Sequence, residues 1–280
     1  MVREAEARDR ARCVDAAQIG ELDEYACRRA AASGRLERLR CARERGCQWD
    51  EWTCALAAKN GHLECLRYAH ERDCPWDEWT SALAAWNGHH ECLKYALQHG
   101  CPRDEQTCVN AASKGHLECL KYAHEHGCPW DEWTCSCAAE FGQLECLKYA
   151  REHGCPWDVQ TCRKAAENGH LDCLRYAHEH GCPWDVQTCR KAAENGHLDC
   201  LRYALQYGCS GARKLEEAFQ RLDDARTRLV VGMAISYRNE GGHISGLTFT
   251  PLFGEYEERH DDMKNAMHDF MKRRPLRRLR

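Results

Sequence analysis

Five times in this chain a histidine is followed three residues later by a cysteine: His62 and Cys65, His89 and Cys92, His116 and Cys119, His170 and Cys173, His197 and Cys200. On a helix the i, i+3 spacing brings both side chains to one side, and an imidazole beside a thiolate is half of a zinc site. The other half is missing. Gln143 stands with Cys146 where a sixth pair would be, and no Cys-x-x-Cys is present to complete four ligands. The expectation is therefore a structural role for these pairs, with a metal-binding or redox-linked Cys/His protein as the alternative reading.

The chain has 22 cysteines. Most recur at two or three fixed places of a repeating unit. Equivalent positions in neighbouring helices lie about 8–10 Å apart, whereas a disulfide needs Cα atoms closer than about 7 Å. They are expected to be reduced, small, buried hydrophobes. No set of nucleophile, base and oxyanion donors, no phosphate-binding glycine loop and no paired-carboxylate cleft can be assembled from spacing, so no enzymatic activity and no cofactor are expected.

The elements that must hold these residues are read from one stretch. CPWDVQTCRKAAENGHLDCLRYA runs from Cys155 to Ala177 and again, letter for letter, from Cys182 to Ala204, an offset of 27 residues. Looser copies begin at Cys47, Cys74, Cys101 and Cys128, and a degenerate one runs from Gly20 to Gly46. Self-similarity at a fixed period of this length is the signature of a solenoid, here of about seven units.

Each unit follows one plan, taken from Cys74 to Gly100. Pro75 disfavours helix at Cys74, and Asp77 is placed to cap a first helix that ends near Gly88. A second helix runs from about His89 to His99. On a helical wheel Ser81, Ala84 and Ala85 share the buried face of the first helix, while Glu78, Trp79, Ala82, Leu83, Trp86 and Asn87 share the outer one. The second helix buries Cys92, Leu93 and Ala96. Trp49, Trp76, Trp130, Trp157 and Trp184 occupy one repeat position, with Arg103 as the exception, and are expected to pack the turn between units rather than to stack a ligand.

The units TCALAAKNGHLECLRYAHERD and TCRKAAENGHLDCLRYAHEHG resemble the ankyrin repeat: a Thr-led first helix, an Ala-Ala pair, Gly-His at the turn and a Leu-containing second helix. The resemblance covers roughly Gly20 to Gly208 and is best at Gly61–Glu64, Gly115–Glu118, Gly169–Asp172 and Gly196–Asp199. An ankyrin unit has about 33 residues, and the shortage here falls between Cys74 and Thr80, where that family places its projecting β-hairpin. The resemblance implies an all-α helix-turn-helix solenoid of about seven short units that binds protein, with the tight turn Cys-Pro-Trp-Asp in place of the hairpin and no fingertip contacts. It also implies that the turn histidine is a structural hydrogen bonder.

Within one chain the units can be compared with each other, and they differ most on the outer face of the first helix: Ala55, Leu56 and Lys59; Ala82, Leu83 and Trp86; Val109, Asn110 and Ser113. Further along the differences fall on Ser136, Cys137, Glu140 and Phe141; Arg163, Lys164 and Glu167; Arg190, Lys191 and Glu194. Large apolar groups in water mark an interaction surface. The candidate partner-binding residues are Leu56, Lys59, Leu83, Trp86 and Asn110 in the earlier units. In the later ones they are Glu140, Phe141, Arg163, Lys164, Arg190 and Lys191.

The ends read differently. Residues 1–19 are expected to form a capping helix, 20–208 the repeat array, 209–234 a second capping helix, and 235–280 a loop, an amphipathic helix and a basic tail. The formal net charge is −4, and because six Lys or Arg fall between Lys272 and Arg280, residues 1–271 carry −10. An acidic body argues against nucleic acid as the main partner; a nucleic-acid-associated protein using the tail is a further alternative, and the tail also fits an import signal. No apolar run is long enough to span a membrane, and MVREAEARDRARC is too charged for a signal peptide. The expectation is a monomeric cytoplasmic or nuclear protein with a protein partner and no small-molecule substrate.

Overall fold

The computed structural model describes residues 25–209. The expected N-terminal capping helix, the helix after Cys209 and everything from 235 to the basic tail lie outside the described residues. Among the described residues there are fourteen helices and no strand, arranged as seven pairs. They are α1 (Ala26–Ala32) and α2 (Leu36–Glu44), α3 (Glu51–Lys59) and α4 (Leu63–His70), α5 (Glu78–Trp86) and α6 (His90–Gln98), α7 (Glu105–Lys114) and α8 (Leu117–Glu125), α9 (Glu132–Glu140) and α10 (Leu144–Glu152), α11 (Val159–Glu167) and α12 (Leu171–Glu179), α13 (Val186–Glu194) and α14 (Leu198–Gln206).

The start and stop of α5 show why these residues make these helices. Asp77 is extended (φ −135°, ψ −172°), and its carboxylate accepts from the Trp79 amide at 3.1 Å, satisfying one of the free donors of the first turn. At the other end Gly88 takes φ +73°, and two bonds close the helix, Gly88 N to Ala85 O at 3.3 Å and His89 N to Ala84 O at 2.9 Å. That reversal needs a residue without a Cβ at Gly88. The His89 carbonyl then accepts from Leu93 N at 3.0 Å and begins α6. The connection through Cys74, Pro75, Trp76 and Asp77 contains no strand, so the projecting hairpin is replaced by a turn.

The chain divides into two compact units, 25–138 with 145–155 and 139–144 with 156–209. Within the first, α1, α3, α5 and α7 pack each on the next, each against its own partner helix, and α2, α4, α6 and α8 do the same in a second layer. Within the second unit α11 packs on α13 and α12 on α14. The buried layer is made of small residues. Ala57, Ala58, Ala84, Ala85, Ala111 and Ala112 are fully buried, which lets the first helices approach closely, and one leucine per unit (Leu66, Leu93, Leu120, Leu147, Leu174) fills the second layer.

The helical wheel is corrected at one place. Ala55 and Ala82, projected outward, are 1% and 0% exposed, and Ser113 and Ser136 are buried as well. At Ala55 and Ala82 the first helix of the next repeat covers that side, so the buried arc is wider than a wheel drawn for one helix allows. Cys41 corrects a second expectation, since it is disulfide-bonded, whereas the other described cysteines are free thiols. No described helix is long and apolar enough to cross a membrane.

Candidate functional site

The His-x-x-Cys pairs are separated by packing. The imidazole of His89 lies over Gly61 of the preceding unit, and a methyl group there would stand 2.6 Å from its Nδ1; Gly34 with His62, Gly88 with His116, Gly142 with His170 and Gly169 with His197 repeat the contact. His89 also bonds the Lys59 backbone. Three residues on, the cysteine points into the core instead. Burial pushes the Cys65, Cys92 and Cys119 thiols up to about 11, which keeps them from being thiolate nucleophiles or ligands at neutral pH. Among the described residues no group of three or more His, Cys, Asp or Glu is placed to hold a metal ion. The turn cysteines have another task, donating to the backbone of the unit before: Cys101 Sγ to Asp77 O at 3.1 Å and Cys182 Sγ to Asp158 O at 3.2 Å.

The turn tryptophans form a second structural set. Trp76 stacks on His70 at 3.8 Å, Trp130 on His124 at 3.7 Å and Trp184 on His178 at 3.9 Å. Each of these histidines sits by a tyrosine hydroxyl of the next unit, His70 Nδ1 3.0 Å from Tyr95, His124 3.1 Å from Tyr149 and His178 2.9 Å from Tyr203. Burial lowers all three imidazole pKa values. These stacked indoles belong to the turn packing expected from the sequence.

What remains exposed is the outer stripe of the first helices, and here the two units differ. In the first, α3 presents Trp52, Leu56 and Lys59, and α5 presents Trp79, Leu83 and Trp86, residues at i, i+4 and i+7 of adjacent helices. Trp52 is 41% exposed, Trp79 45% and Trp86 37%, while Leu56 and Leu83 are half-buried between them. The Lys114 ammonium lies over the Trp86 ring at 4.1 Å. Asn110 is drawn inward, its amide donating to Ala82 O at 3.1 Å.

In the second unit the same stripe is ionic. Lys164 Nζ bonds Glu140 at 2.9 Å, Lys191 Nζ bonds Glu167 at 2.6 Å, and Arg163 Nε donates to Asp185 Oδ1 at 3.0 Å. The ammonium of Lys191 holds the Glu167 carboxyl below its usual range, and the guanidinium of Arg163 does the same to Asp185. Arg190 pairs with Glu194 on its own helix at 3.3 Å. Four of the sequence-selected residues, Glu140, Arg163, Lys164 and Lys191, thus tie successive repeats together. Phe141, also in this unit, is 46% exposed.

Three residues of the stripe escaped sequence selection. Trp52, Trp79 and, in α9, Trp133 are among the most exposed large apolar side chains, and none of the three enters a ring pair among the described residues. The signal was available: the position reads Trp52, Trp79, Gln106, Trp133, Gln160, Gln187, and a residue that alternates between indole and amide is not part of a packed core.

Among curated proteins none matches the chain. Of solved structures, the human ASB11 ankyrin repeat domain matches at 18% identity and a TM-score of 0.49, over 56% of this chain and 84% of that one. The family pattern described as ankyrin repeats (3 copies) matches residues 81–161, and that described as ankyrin repeats (many copies) matches 53–97 and 162–205, so that family matches run without a break from 53 to 205. On the family-pattern matches across 53–205, with the Gly-His turns and paired helices, the chain belongs to the ankyrin-repeat family.

Proposed function

We propose that this protein is a non-enzymatic scaffold or adaptor that holds a protein partner on the outer face of its first helices. Ankyrin repeats are in general protein-protein interaction modules. The observation that carries the reading is the stripe on α3 and α5, where Trp52, Trp79 and Trp86 are left in water around Leu56 and Leu83. A few aromatic anchors of this kind dominate affinity in most interfaces. Lys59 borders the stripe at the end of α3, and Phe141, Arg190 and the inter-repeat charges of the later units stand as weaker candidates, because ion pairs within the chain already occupy most of them. The compartment we assign is cytoplasm or nucleus, supported by the free thiols of every described cysteine except Cys41.

Hydrogen exchange on the full chain, alone and saturated with a captured partner, tests the reading. Slowed exchange is expected in α3, α5 and α7. Protection confined to α4, α6 and α8 would place the partner on the opposite layer and reject it.

A further inference from the structure

Some N-cap aspartates of the array carry an arginine and others do not. Arg28, in α1, donates from Nε to Asp50 Oδ1 at 2.9 Å and from its terminal nitrogen to Oδ2, and Asp50 is the cap of α3 in the next unit. Arg163 in α11 makes the same two bonds to Asp185, the cap of α13. The arginine stands 22 residues before the aspartate each time. Counting back 22 from Asp77 and Asp104 gives Ala55 and Ala82, whose methyl groups can neutralise nothing.

The electrostatic result is opposite at the two kinds of cap. Arg28 holds the Asp50 carboxyl below its usual range, and Arg163 does so for Asp185. Burial, with the charges of Glu78 and Glu51, pushes Asp77 up, and burial with Glu105 and Glu78 pushes Asp104 up. Glu51, Asp77, Glu78, Asp104 and Glu105 therefore form an acidic border along the N-terminal ends of α3, α5 and α7. Of the described cations on that edge, Arg28 is taken up by Asp50, and Arg103 donates from Nη2 to Leu97 O at 3.4 Å. Between residues 51 and 150 the chain has 15 Asp or Glu against 8 Lys or Arg.

This border adjoins the apolar stripe of the proposed partner face. Glu51 and Trp52, and Glu78 and Trp79, are consecutive residues in the first turns of α3 and α5. An exposed indole can receive a guanidinium on its face and offers a large apolar area to aliphatic side chains. At the far end of the stripe the charge is reversed, by Lys59 and Lys114, so the face is polar along its length. A partner that matches it has cations against the acidic border and apolar groups against the indoles beside it.

Resting on the partner-binding reading above, we propose that this edge docks an extended, arginine-bearing segment of a partner protein, whose guanidiniums take at Asp77 and Asp104 the place that Arg28 and Arg163 fill at Asp50 and Asp185, while its apolar side chains lie on Trp52 and Trp79. Arginine fits better than lysine because its planar fork meets both oxygens of a carboxylate, which is the geometry the chain itself uses at Asp50 and Asp185. The spacing follows from the fold. Successive first helices pack about 8–10 Å apart, and a segment in the polyproline II conformation advances about 3.1 Å per residue with three residues per turn, so arginines three residues apart stay on one side and reach successive caps.

A labelled twelve-residue peptide with arginine at every third position and leucine and serine between is the probe, titrated against the full chain by fluorescence anisotropy. Binding is expected, weakened by raising salt, at least about tenfold weaker for Asp77→Asn with Asp104→Asn, and about tenfold weaker for the lysine version of the peptide. Asparagine caps a helix as well as aspartate does, so the unfolding midpoint of that double variant serves as the folding control. Ala55→Arg with Ala82→Arg installs the in-chain pairs and is expected to block the peptide. Equal binding by the double Asn variant, equal binding of the lysine peptide, or no binding by the native chain would overturn the proposal. None of these touches the partner-face reading, which fails separately if exchange protection in a captured complex misses α3 and α5.

Discussion

The imidazole of His89 rests on the backbone of Gly61, 28 residues earlier, so closely that a methyl group on Gly61 would stand 2.6 Å from Nδ1. Gly61 also has φ +76°. At Gly34, Gly61, Gly88, Gly142 and Gly169 the turn therefore acts across repeats: the glycine closes its own first helix, and a histidine one unit on covers it. Gly100 has a similar φ of +84° but nothing within 4 Å of the Cβ position. Replacing either by alanine incurs the left-handed strain, about 1 kcal/mol or more, and Gly61→Ala adds the collision. Denaturant titration should find Gly61→Ala clearly less stable than Gly100→Ala; equal losses would mean that the histidine moves aside without cost.

Asp158 and Asp185 both cap their helices, accepting from Gln160 N at 2.9 Å and Gln187 N at 3.0 Å, but only Asp185 also holds an arginine of the preceding unit. Loss of a cap costs about 0.5–2 kcal/mol. Asp158→Ala should fall in that range, and Asp185→Ala should cost more, with Arg163→Ala alone costing about the difference between them. Equal destabilisation in urea would show that the Arg163 pair contributes nothing.

His70, His124 and His178 have imidazole pKa values lowered by burial, with His99 adding its charge at His70 and His153 at His124. The folded pKa lies below the unfolded value of about 6.5, so between the two the unfolded chain binds more protons. Stability from these groups is fully present above about pH 6.5 and is lost as pH falls through the folded pKa. The thermal midpoint should drop from pH 7 to pH 5. The variant His70→Leu, His124→Leu, His178→Leu copies Leu97, which occupies the same position one unit after His70, and should flatten that part of the profile. An unchanged profile would assign the acid sensitivity to the carboxylates.

The cysteines of the second helices, buried and pushed to about 11 or 12, should stay unreactive in the native protein toward a thiol reagent at pH 7.5. Cys137, half-buried, should react first. The remaining free thiols should appear only on unfolding, without prior reduction, and native protein should contain no stoichiometric zinc. Two or more tightly held metal ions per chain would restore the His-x-x-Cys pairs as ligands.

Much of this was legible in the sequence because the repeat states each rule several times. Asp77 before Glu78 and Gly88 before His89 locate helix ends by backbone chemistry alone, and the caps and turns form there. The misses on the first helices share one cause. A wheel drawn for α5 cannot see α7, so Ala82 was placed in water although the next unit covers it and Asn110 bonds its carbonyl. Arg163 and Lys164 read as free surface charges for the same reason, since their partners Asp185 and Glu140 lie 22 and 24 residues away. The stacked imidazoles follow a two-unit period, His70, Leu97, His124, Arg151, His178, Leu205, which a one-unit alignment averages out.

On the partner-face reading proposed above, Trp79 and Trp86 serve a partner and not the fold. Both stand on the outer stripe of α5, Trp79 without a ring partner among the described residues and Trp86 beneath Lys114. The decisive measurement is the affinity of a captured partner for the native chain and for Trp79→Ser with Trp86→Ser, with the unfolding midpoint of both chains determined in parallel. The expected result is a nearly unchanged midpoint and binding at least about tenfold weaker, equivalent to roughly 1.4 kcal/mol. A large fall in the midpoint with unchanged affinity would contradict it.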